Sequence, residues 1–305
     1  PGTFQSDPLY IFWRPPATDP YAAPVDAWVP LPGPIVNSSG LSNHAVTGVT
    51  FEHATWRQPS TPEGYVPSQS AVGGWGEPTG AVRFNAAVNL SIDGCNFQNM
   101  GSAYGLEVGG GSKRVSIIRS NFSALAGGAV KLANVNDSRA LSQDPADMDE
   151  QYLLQDCVMQ DLALEFRGAA AVFAGYVAHA NISHNTIANT GYTAISLGWG
   201  WGSHVFGNQT FAADNHVTNN RMSGIMSALN DGGCTYTLGP QPRSTVSGNF
   251  CEADEAPVVG CFYHDNGSRY FNDSFNVCLN SPANCVYLQG CCNSPAYDIH
   301  VREQW

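Results

Sequence analysis

Basic residues, long apolar runs and helical periodicity are scarce in this sequence of 305 residues. Only two lysines occur, charged residues make up 12% and the net charge is −12, which argues against a basic groove for nucleic acid. No apolar run approaches the ~20 residues of a transmembrane helix, and no sustained pattern predicts long amphipathic helices. The chain begins at Pro1 without a signal peptide, as expected of a processed or partial chain.

Small, amide and apolar residues are plentiful instead. Apolar residues make up 43% of the chain, which indicates a sizeable core. From residue 48 onward one pattern recurs: an aliphatic residue, two variable positions, a small or amide residue, one further position and an apolar residue. Its copies are IDGCNF (92–97), IIRSNF (117–122), LQDCVM (154–159), ISHNTI (182–187), VTNNRM (217–222) and VSGNFC (246–251).

Successive copies lie 25 to 37 residues apart, which is typical of stacked rungs built from three short strands. We therefore predict an all-β fold, a single-stranded right-handed parallel β-helix of the pectate-lyase-like type, over residues 48–305. Residues 1–47 are predicted to be strands and turns that lead into it. A propeller needs longer repeats and a sandwich lacks a recurring motif, so both fit less well.

The fourth position of the pattern is expected to form a column of stacked, inward-facing side chains, in which asparagines bond amide to amide. Its members are Cys95, Ser120, Cys157, Asn185, Asn220 and Asn249. The asparagines are therefore interpreted as fold residues rather than ligands.

Nine cysteines occur, and six lie in the last 55 residues: Cys251, Cys261, Cys278, Cys285, Cys291 and Cys292. Their spacing fits no zinc template, so we predict disulfides among them, with Cys234 as a further candidate, in an oxidising compartment. Cys95 and Cys157 lie two rungs apart, roughly 10 Å, which is too far for a bridge, and are predicted to be buried free thiols.

Sequons for N-glycosylation are frequent. Together with the cysteines, they predict a secreted, extracellular glycoprotein that carries N-linked glycans. The eight sequons begin at Asn37, Asn89, Asn121, Asn136, Asn181, Asn208, Asn266 and Asn272.

The insertion 137–151 is acidic, with Asp144, Asp147, Asp149 and Glu150 as its carboxylates. Calcium binding is one interpretation of this cluster, but a solvated loop that extends from a rung is favoured. No metal site and no cofactor are predicted.

Two tryptophans, Trp199 and Trp201, alternate with glycines in LGWGW (197–201). Residues two apart on a strand share a face, so both rings are predicted to form a floor for a sugar. Capping of the core is the alternative.

Two aspartates, Asp231 in DGG and Asp265 in DNG, are 34 residues apart, close to one repeat. Each motif is also typical of a tight turn. Neighbouring rungs would place the two carboxylates together, one as proton donor and the other as base or nucleophile, as in glycosidases. Tyr236 is predicted to orient a carboxylate or a hydroxyl, and His264 to lie beside the site.

Four segments resemble one known family: FEHATWRQPSTPEGYVPSQSA (51–71), TAISLGWGW (193–201), DGGCTYTLGPQP (231–242) and YHDNGS (263–268). The resemblance is to the right-handed β-helix proteins of glycoside hydrolase family 141, and it covers nearly the whole chain. It implies carbohydrate hydrolysis of the α-L-fucosidase or xylanase type, with a catalytic pair on Asp231 and Asp265. Family members usually carry a further N-terminal β-helix portion, and the cysteine-rich end here differs from that of the bacterial members.

Two hypotheses follow. The first is a secreted glycoside hydrolase that acts on a cell-wall or extracellular polysaccharide. The second is a non-catalytic extracellular glycoprotein whose β-helix is a structural module of a wall, filament or appendage, assembled with other chains. A polysaccharide lyase is a third, less favoured option because lyases commonly use Lys or Arg as the base, and lysine is almost absent.

Overall fold

The computed structural model describes residues 3–6, 11–14, 30, 33–56, 79–135, 137–142, 144–199, 210–253, 259–281, 284–290 and 295–305. The first two strands, β1 (Thr3–Ser6) and β2 (Ile11–Arg14), form an antiparallel pair. The other strands described here belong to three parallel sheets.

Sheet 1 stacks, in chain order, β3 (Val36–Ser39), β6 (Gly80–Asn85), β9 (Tyr104–Gly109), β12 (Gly128–Leu132), β15 (Val172–Ala174), β18 (Ile195–Leu197), β21 (Thr235–Thr237), β24 (Gly260–His264) and β27 (Asn284–Leu288). Sheet 2 stacks β4 (Ser42–Thr47), β7 (Val88–Asp93), β10 (Lys113–Ile118), β13 (Glu150–Gln155), β16 (Asn181–Ser183), β19 (His216–Thr218), β22 (Pro240–Ser247), β25 (Arg269–Ser274) and β28 (His300–Arg302). Sheet 3 stacks β5 (Thr50–Glu52), β8 (Asn96–Met100), β11 (Asn121–Leu125), β14 (Val158–Leu162), β17 (Thr186–Thr190), β20 (Arg221–Ser223), β23 (Phe250–Glu252) and β26 (Val277–Leu279).

The strand order in each sheet advances by three along the chain, so three consecutive strands form one rung that pairs with the rungs before and after it. The predicted parallel β-helix is confirmed. Its first described rung begins at β3, before the predicted boundary at residue 48. The insertion between β12 and β13 carries a helical turn, α1 (Asp137–Ala140), and a 3₁₀ turn over Pro145–Asp147. No helix among the described residues is long and apolar enough to cross a membrane.

The turn from sheet 2 to sheet 3 uses two residues in every rung. The first adopts a left-handed backbone conformation, which reverses the chain over a short distance; non-glycine residues tolerate it less readily than glycine. These first residues are Gly48, Gly94, Arg119, Asp156, His184, Asn219, Gly248 and Phe275. The second residue of the turn is the predicted column position.

The predicted column is confirmed, and it bonds rung to rung. The Asn220 Oδ1 atom accepts hydrogen bonds from the Asn185 backbone N–H and from Asn185 Nδ2, both at 3.0 Å. Asn220 in turn donates the same two bonds to Asn249, and Asn249 to Asn276. Each turn therefore satisfies the backbone N–H of the turn before it.

Asn276 extends the column beyond the predicted members. The sequence pattern missed it because Asp273 stands where the other copies have an aliphatic residue. Asp273 lies in register with Val246, and the positions below are Val217 and Ile182. An aspartate thus enters a column that is otherwise apolar along these rungs.

Apolar side chains of sheet 3 stack in the same way. The rings of Phe51, Phe97 and Phe122 lie on one another with centroid distances of 5.1 and 4.6 Å. Phe97 and Phe122 are fully buried. The core therefore lies along the axis enclosed by the three sheets.

The cysteines are distributed as two bridges and buried thiols. Cys234 pairs with Cys251, and Cys278 with Cys285. Cys95 and Cys157 are buried free thiols, as predicted, and Cys261 is a third. Cys291 and Cys292 lie outside the described residues.

One acidic residue of the insertion departs from the prediction of a solvated loop. Asp149 is fully buried, and its Oδ1 atom accepts hydrogen bonds from the backbone N–H groups of Gly111 and Ser112 and from the Tyr152 hydroxyl. It closes the turn from sheet 1 to sheet 2. Burial raises the pKa of Asp149 to about 6 because the hydrogen bonds only partly offset the loss of hydration.

Asn220→Ala tests the column. It removes the acceptor of two buried donors on Asn185, so we expect the free energy of unfolding to fall by about 3–5 kcal/mol, measured by urea denaturation. Asn121→Ala, which removes an exposed amide–amide bond one residue after a column position, should change it by less than about 0.5 kcal/mol in protein made without glycosylation. Equal effects of the two substitutions would contradict this role of the column.

Asp149→Asn tests the buried carboxyl. Because its folded pKa lies above the unfolded value, the folded state holds the proton more tightly, and stability is lost as pH rises from about 4 to 6. An amide keeps the acceptor and cannot ionise. We expect the variant to gain about 1–3 kcal/mol relative to the wild type between pH 4 and 7, measured from urea midpoints. A stability difference that is independent of pH would refute the assignment.

Candidate functional site

The candidate site lies on the outer face of sheet 1 near its C-terminal end. Tyr236 of β21 and Tyr263 of β24 stand opposite one another in register, with ring centroids 5.1 Å apart and planes perpendicular. Tyr287 of β27 continues this column with a centroid distance of 5.2 Å from Tyr263. In-register pairing of parallel strands therefore builds a row of tyrosines.

Asp265 follows β24 at the turn into sheet 2 and is 4% exposed. Its Oδ2 atom accepts a short hydrogen bond from the Tyr236 hydroxyl. Among the described residues its Oδ1 atom has no hydrogen-bond partner although it is buried. Burial raises the pKa of Asp265, an effect that the Tyr236 hydrogen bond partly opposes and the negative charge of Asp231 reinforces.

Asp231 belongs to the connection that leads into β21, and its side chain is exposed. Its backbone has a φ of 60°, a left-handed conformation that aspartate tolerates. The glycines after it are required by close contact, since a Cβ at Gly232 would lie 2.5 Å from Thr193 Oγ1 and one at Gly233 would lie 2.1 Å from the Gly260 carbonyl oxygen. The Tyr192 hydroxyl donates to the Asp231 carbonyl at 2.9 Å. The turn interpretation of DGG is thus correct for the backbone and leaves the carboxylate available.

The Tyr263 hydroxyl joins the two aspartates. It donates to Asp231 Oδ1 at 3.2 Å and accepts from Gln289 Nε2 at 3.2 Å. It also interacts with the Asp265 carboxylate. Burial and the two neighbouring carboxylates raise the pKa of Tyr263, so it remains a hydrogen-bond donor. Two carboxylates around one hydroxyl lie roughly 6 Å apart.

The predicted proximity of the aspartates is present, but the predicted reason for it is wrong. The strands β21 and β24 pair Thr235 with Phe262, so one rung corresponds to 27 residues here and not to 34. Asp231 precedes its strand and Asp265 follows its own. They meet because the connection before β21 brings Asp231 to Tyr263.

His264 does not line the outer face. Successive residues of a strand point to opposite faces, so Tyr263 and Asp265 point outward and His264 points into the solenoid. It is fully buried, with Nε2 2.8 Å from Asp273 Oδ2 and Nδ1 2.8 Å from Thr237 Oγ1. This placement corrects the prediction that His264 contacts substrate.

The buried histidine instead supports the turn that carries Asp265. Thr237 Oγ1 also lies 2.9 Å from Ser268 Oγ, and the Thr237 carbonyl accepts from Ser268 Oγ and from the Asp265 N–H. The Ser268 N–H closes the turn by donating to the Asp265 carbonyl. The residues behind the sheet thereby hold the backbone of Asp265 in place.

Trp199 lies after β18 at the same edge of sheet 1. Its half-buried ring meets Phe173 edge-on with a centroid distance of 5.8 Å and packs near Tyr176. Its carbonyl would contact a Cβ at Gly239, whose N–H donates to the Asn266 carbonyl. Trp199 and Asp265 are therefore two rungs, about 10 Å, apart along one edge. Trp201 lies outside the described residues.

Most of the sequons in the described residues are at the surface. Asn37, Asn89, Asn121, Asn181 and Asn272 are exposed. Asn266, beside Asp265, is partly buried, and its Oδ1 atom is enclosed. Asn136 and Asn208 lie outside the described residues.

Three contributors escaped the sequence analysis: Tyr192, Tyr263 and Gln289. Tyr263 had a usable signal, because it follows Tyr236 by the same 27 residues that separate Asn249 from Asn276 in the column. Tyr192 and Gln289 lie in connections, where no repeat pattern marks them. Within the described residues, no three His, Cys, Asp or Glu side chains form a group suited to a metal ion.

No protein-family model matches the chain, and no curated protein matches it. Among solved structures, one described as a glycoside hydrolase is similar with a TM-score of 0.67 and 21% identity over 86% of this chain. The present chain spans 48% of that structure's length. A second, described as PfbA, a surface adhesin of Streptococcus pneumoniae, has a TM-score of 0.34 and 9% identity over 87% of this chain and 72% of its own. The first likeness supports the fold.

Tyr236→Phe tests the electrostatics of the site. It removes the donor that favours the ionised form of Asp265, so the pKa of Asp265 should rise further. Titration of ¹³C-labelled aspartate carboxyls by NMR measures it, with Asp265→Asn identifying the resonance. Tyr270→Phe, an exposed tyrosine of sheet 2, should leave it unchanged. A lowered or unaltered pKa in Tyr236→Phe would contradict the assignment.

Proposed function

We propose that this protein is a secreted glycoside hydrolase that acts on a cell-wall or extracellular polysaccharide of the fucosylated or xylan type. Asp265 is the proton donor, and Asp231 is the base or the nucleophile. The observation that carries the proposal is the Tyr263 hydroxyl shared by one buried and one exposed carboxyl.

The different surroundings of the two carboxyls support these roles. A general acid must hold a proton near neutral pH, which burial favours at Asp265, and its unpartnered Oδ1 atom is free to protonate a glycosidic oxygen. Exposed Asp231 is accessible to a water molecule or to the anomeric carbon. A separation of roughly 6 Å lies in the range of about 5–10 Å over which paired carboxylates of glycosidases work.

The remaining assignments follow the same edge of sheet 1. Tyr236 is fully buried and orients Asp265, so it acts through the acid rather than on the sugar. Trp199, and with it Trp201, provides the aromatic floor on which a neighbouring sugar unit stacks. Two disulfides and the exposed sequons support secretion and N-glycosylation.

The alternative, a non-catalytic structural module, gives no reason for the environment of Asp265. A buried carboxyl oxygen without a partner costs stability, about 1–3 kcal/mol. Such a cost is usual at active sites, where the group awaits a substrate. We therefore favour the enzyme.

The test is turnover on fucosylated and xylan-type glycans by the wild type, Asp231→Asn and Asp265→Asn. Each substitution should lower kcat by about 10²–10⁴-fold while the urea midpoint shows an intact fold. Asp156→Asn, at an exposed turn between sheets 2 and 3, is the matched control and should retain wild-type turnover. An inert wild type across a broad glycan panel, or full activity of Asp265→Asn, would favour the structural module.

A further inference from the structure

Five cysteines near the end of the solenoid form two stacked columns. In sheet 1, Cys261 lies in register with Cys285, and Cys234 occupies the equivalent position one rung earlier. In sheet 3, Cys251 lies in register with Cys278. The Cys234–Cys251 bridge joins the two columns within one rung, with a Cα–Cα distance of 5.9 Å.

The next rung repeats this geometry without the bond. Cys261 and Cys278 are also separated by 17 residues, as are Cys234 and Cys251, and each is displaced from its counterpart by one rung. The same displacement at both ends preserves the vector between them, so their Cα atoms lie about 6 Å apart, within the range for a disulfide. Cys278 is instead bonded to Cys285 of the following rung, at a Cα–Cα distance of 5.5 Å.

We propose that Cys278 exchanges its partner between Cys285 and Cys261. The Cys261 thiolate attacks Cys278 Sγ, the Cys261–Cys278 bond forms as the Cys278–Cys285 bond breaks, and Cys285 leaves as a thiolate that takes up the proton lost by Cys261. The step is a thiol–disulfide exchange and needs no oxidant. Its product is a pair of identical bridges on consecutive rungs.

The exchange moves a covalent link onto the strand of the candidate site. The strand β24 carries Cys261, Tyr263 and, at its end, Asp265. Burial raises the pKa of the Cys261 thiol, so the neutral thiol is its resting form and the exchange takes hours without a catalyst. The proposal does not depend on the glycosidase activity.

Peptide mapping of the native protein separates the two pairings. Trypsin cuts after Arg221, Arg243, Arg269 and Arg302, so Cys278–Cys285 is internal to peptide 270–302, whereas Cys261–Cys278 links this peptide to 244–269. Deglycosylated protein is incubated in a glutathione redox buffer, quenched with acid, alkylated and analysed without reduction. We expect the linked peptides to accumulate and Cys285 to become alkylated. Persistence of alkylated Cys261 with the internal bridge alone would overturn the proposal.

Cys285→Ala provides a second measurement that does not depend on exchange rates. If Cys261 takes Cys278 as partner, free thiols titrated in denaturant fall by one relative to the wild type. If it does not, Cys278 is left unpaired and the number rises by one, which overturns the proposal. In the double variant Cys285→Ala/Cys278→Ala, the link between peptides 244–269 and 270–302 should be absent. A link that persists there would assign Cys261 to a different partner.

Discussion

Exact stacking of one rung on the next is the constraint on which the rest of the structure depends. A two-residue turn between sheets 2 and 3 leaves backbone donors that pair neither within their own rung nor with water. The side-chain oxygen of the next rung accepts them, so Asn185, Asn220, Asn249 and Asn276 are satisfied only when the rungs are aligned. A slip of one residue would leave several buried donors unpaired, and the register of all three sheets is therefore maintained.

The candidate site follows from this register. Because β21 and β24 are aligned, Tyr236 and Tyr263 stand over one another, and alternation along β24 places Asp265 on the same side as Tyr263. The connection before β21 adds Asp231, which the glycines at 232 and 233 allow to lie close against the neighbouring rung. A rigid solenoid thus holds two carboxyls at a fixed separation, and their different burial distinguishes their chemistry.

Polar groups inside the solenoid show where the repeat departs from its own pattern. Asp273 replaces an aliphatic residue of the core column and pairs with His264, while Thr237 and Ser268 complete the hydrogen bonds. Breaking such a pair would leave a buried group unsatisfied, which is costly. This cluster lies directly behind the turn of Asp265, so the only described rung with an aspartate in this column is the one that carries the buried carboxyl of the site.

The sequence by itself determined the parallel β-helix, the asparagine column and the thiol state of Cys95 and Cys157, because these depend on a pattern that repeats once per rung. It also indicated Asp231, Asp265 and Tyr236 through their motifs. Tertiary structure alone decided that His264 points inward, that Asp149 is buried and that Tyr263 joins the aspartates. These features depend on which residue of one rung faces which residue of another, and the lengths of the connections vary too much for sequence spacing to predict that alignment.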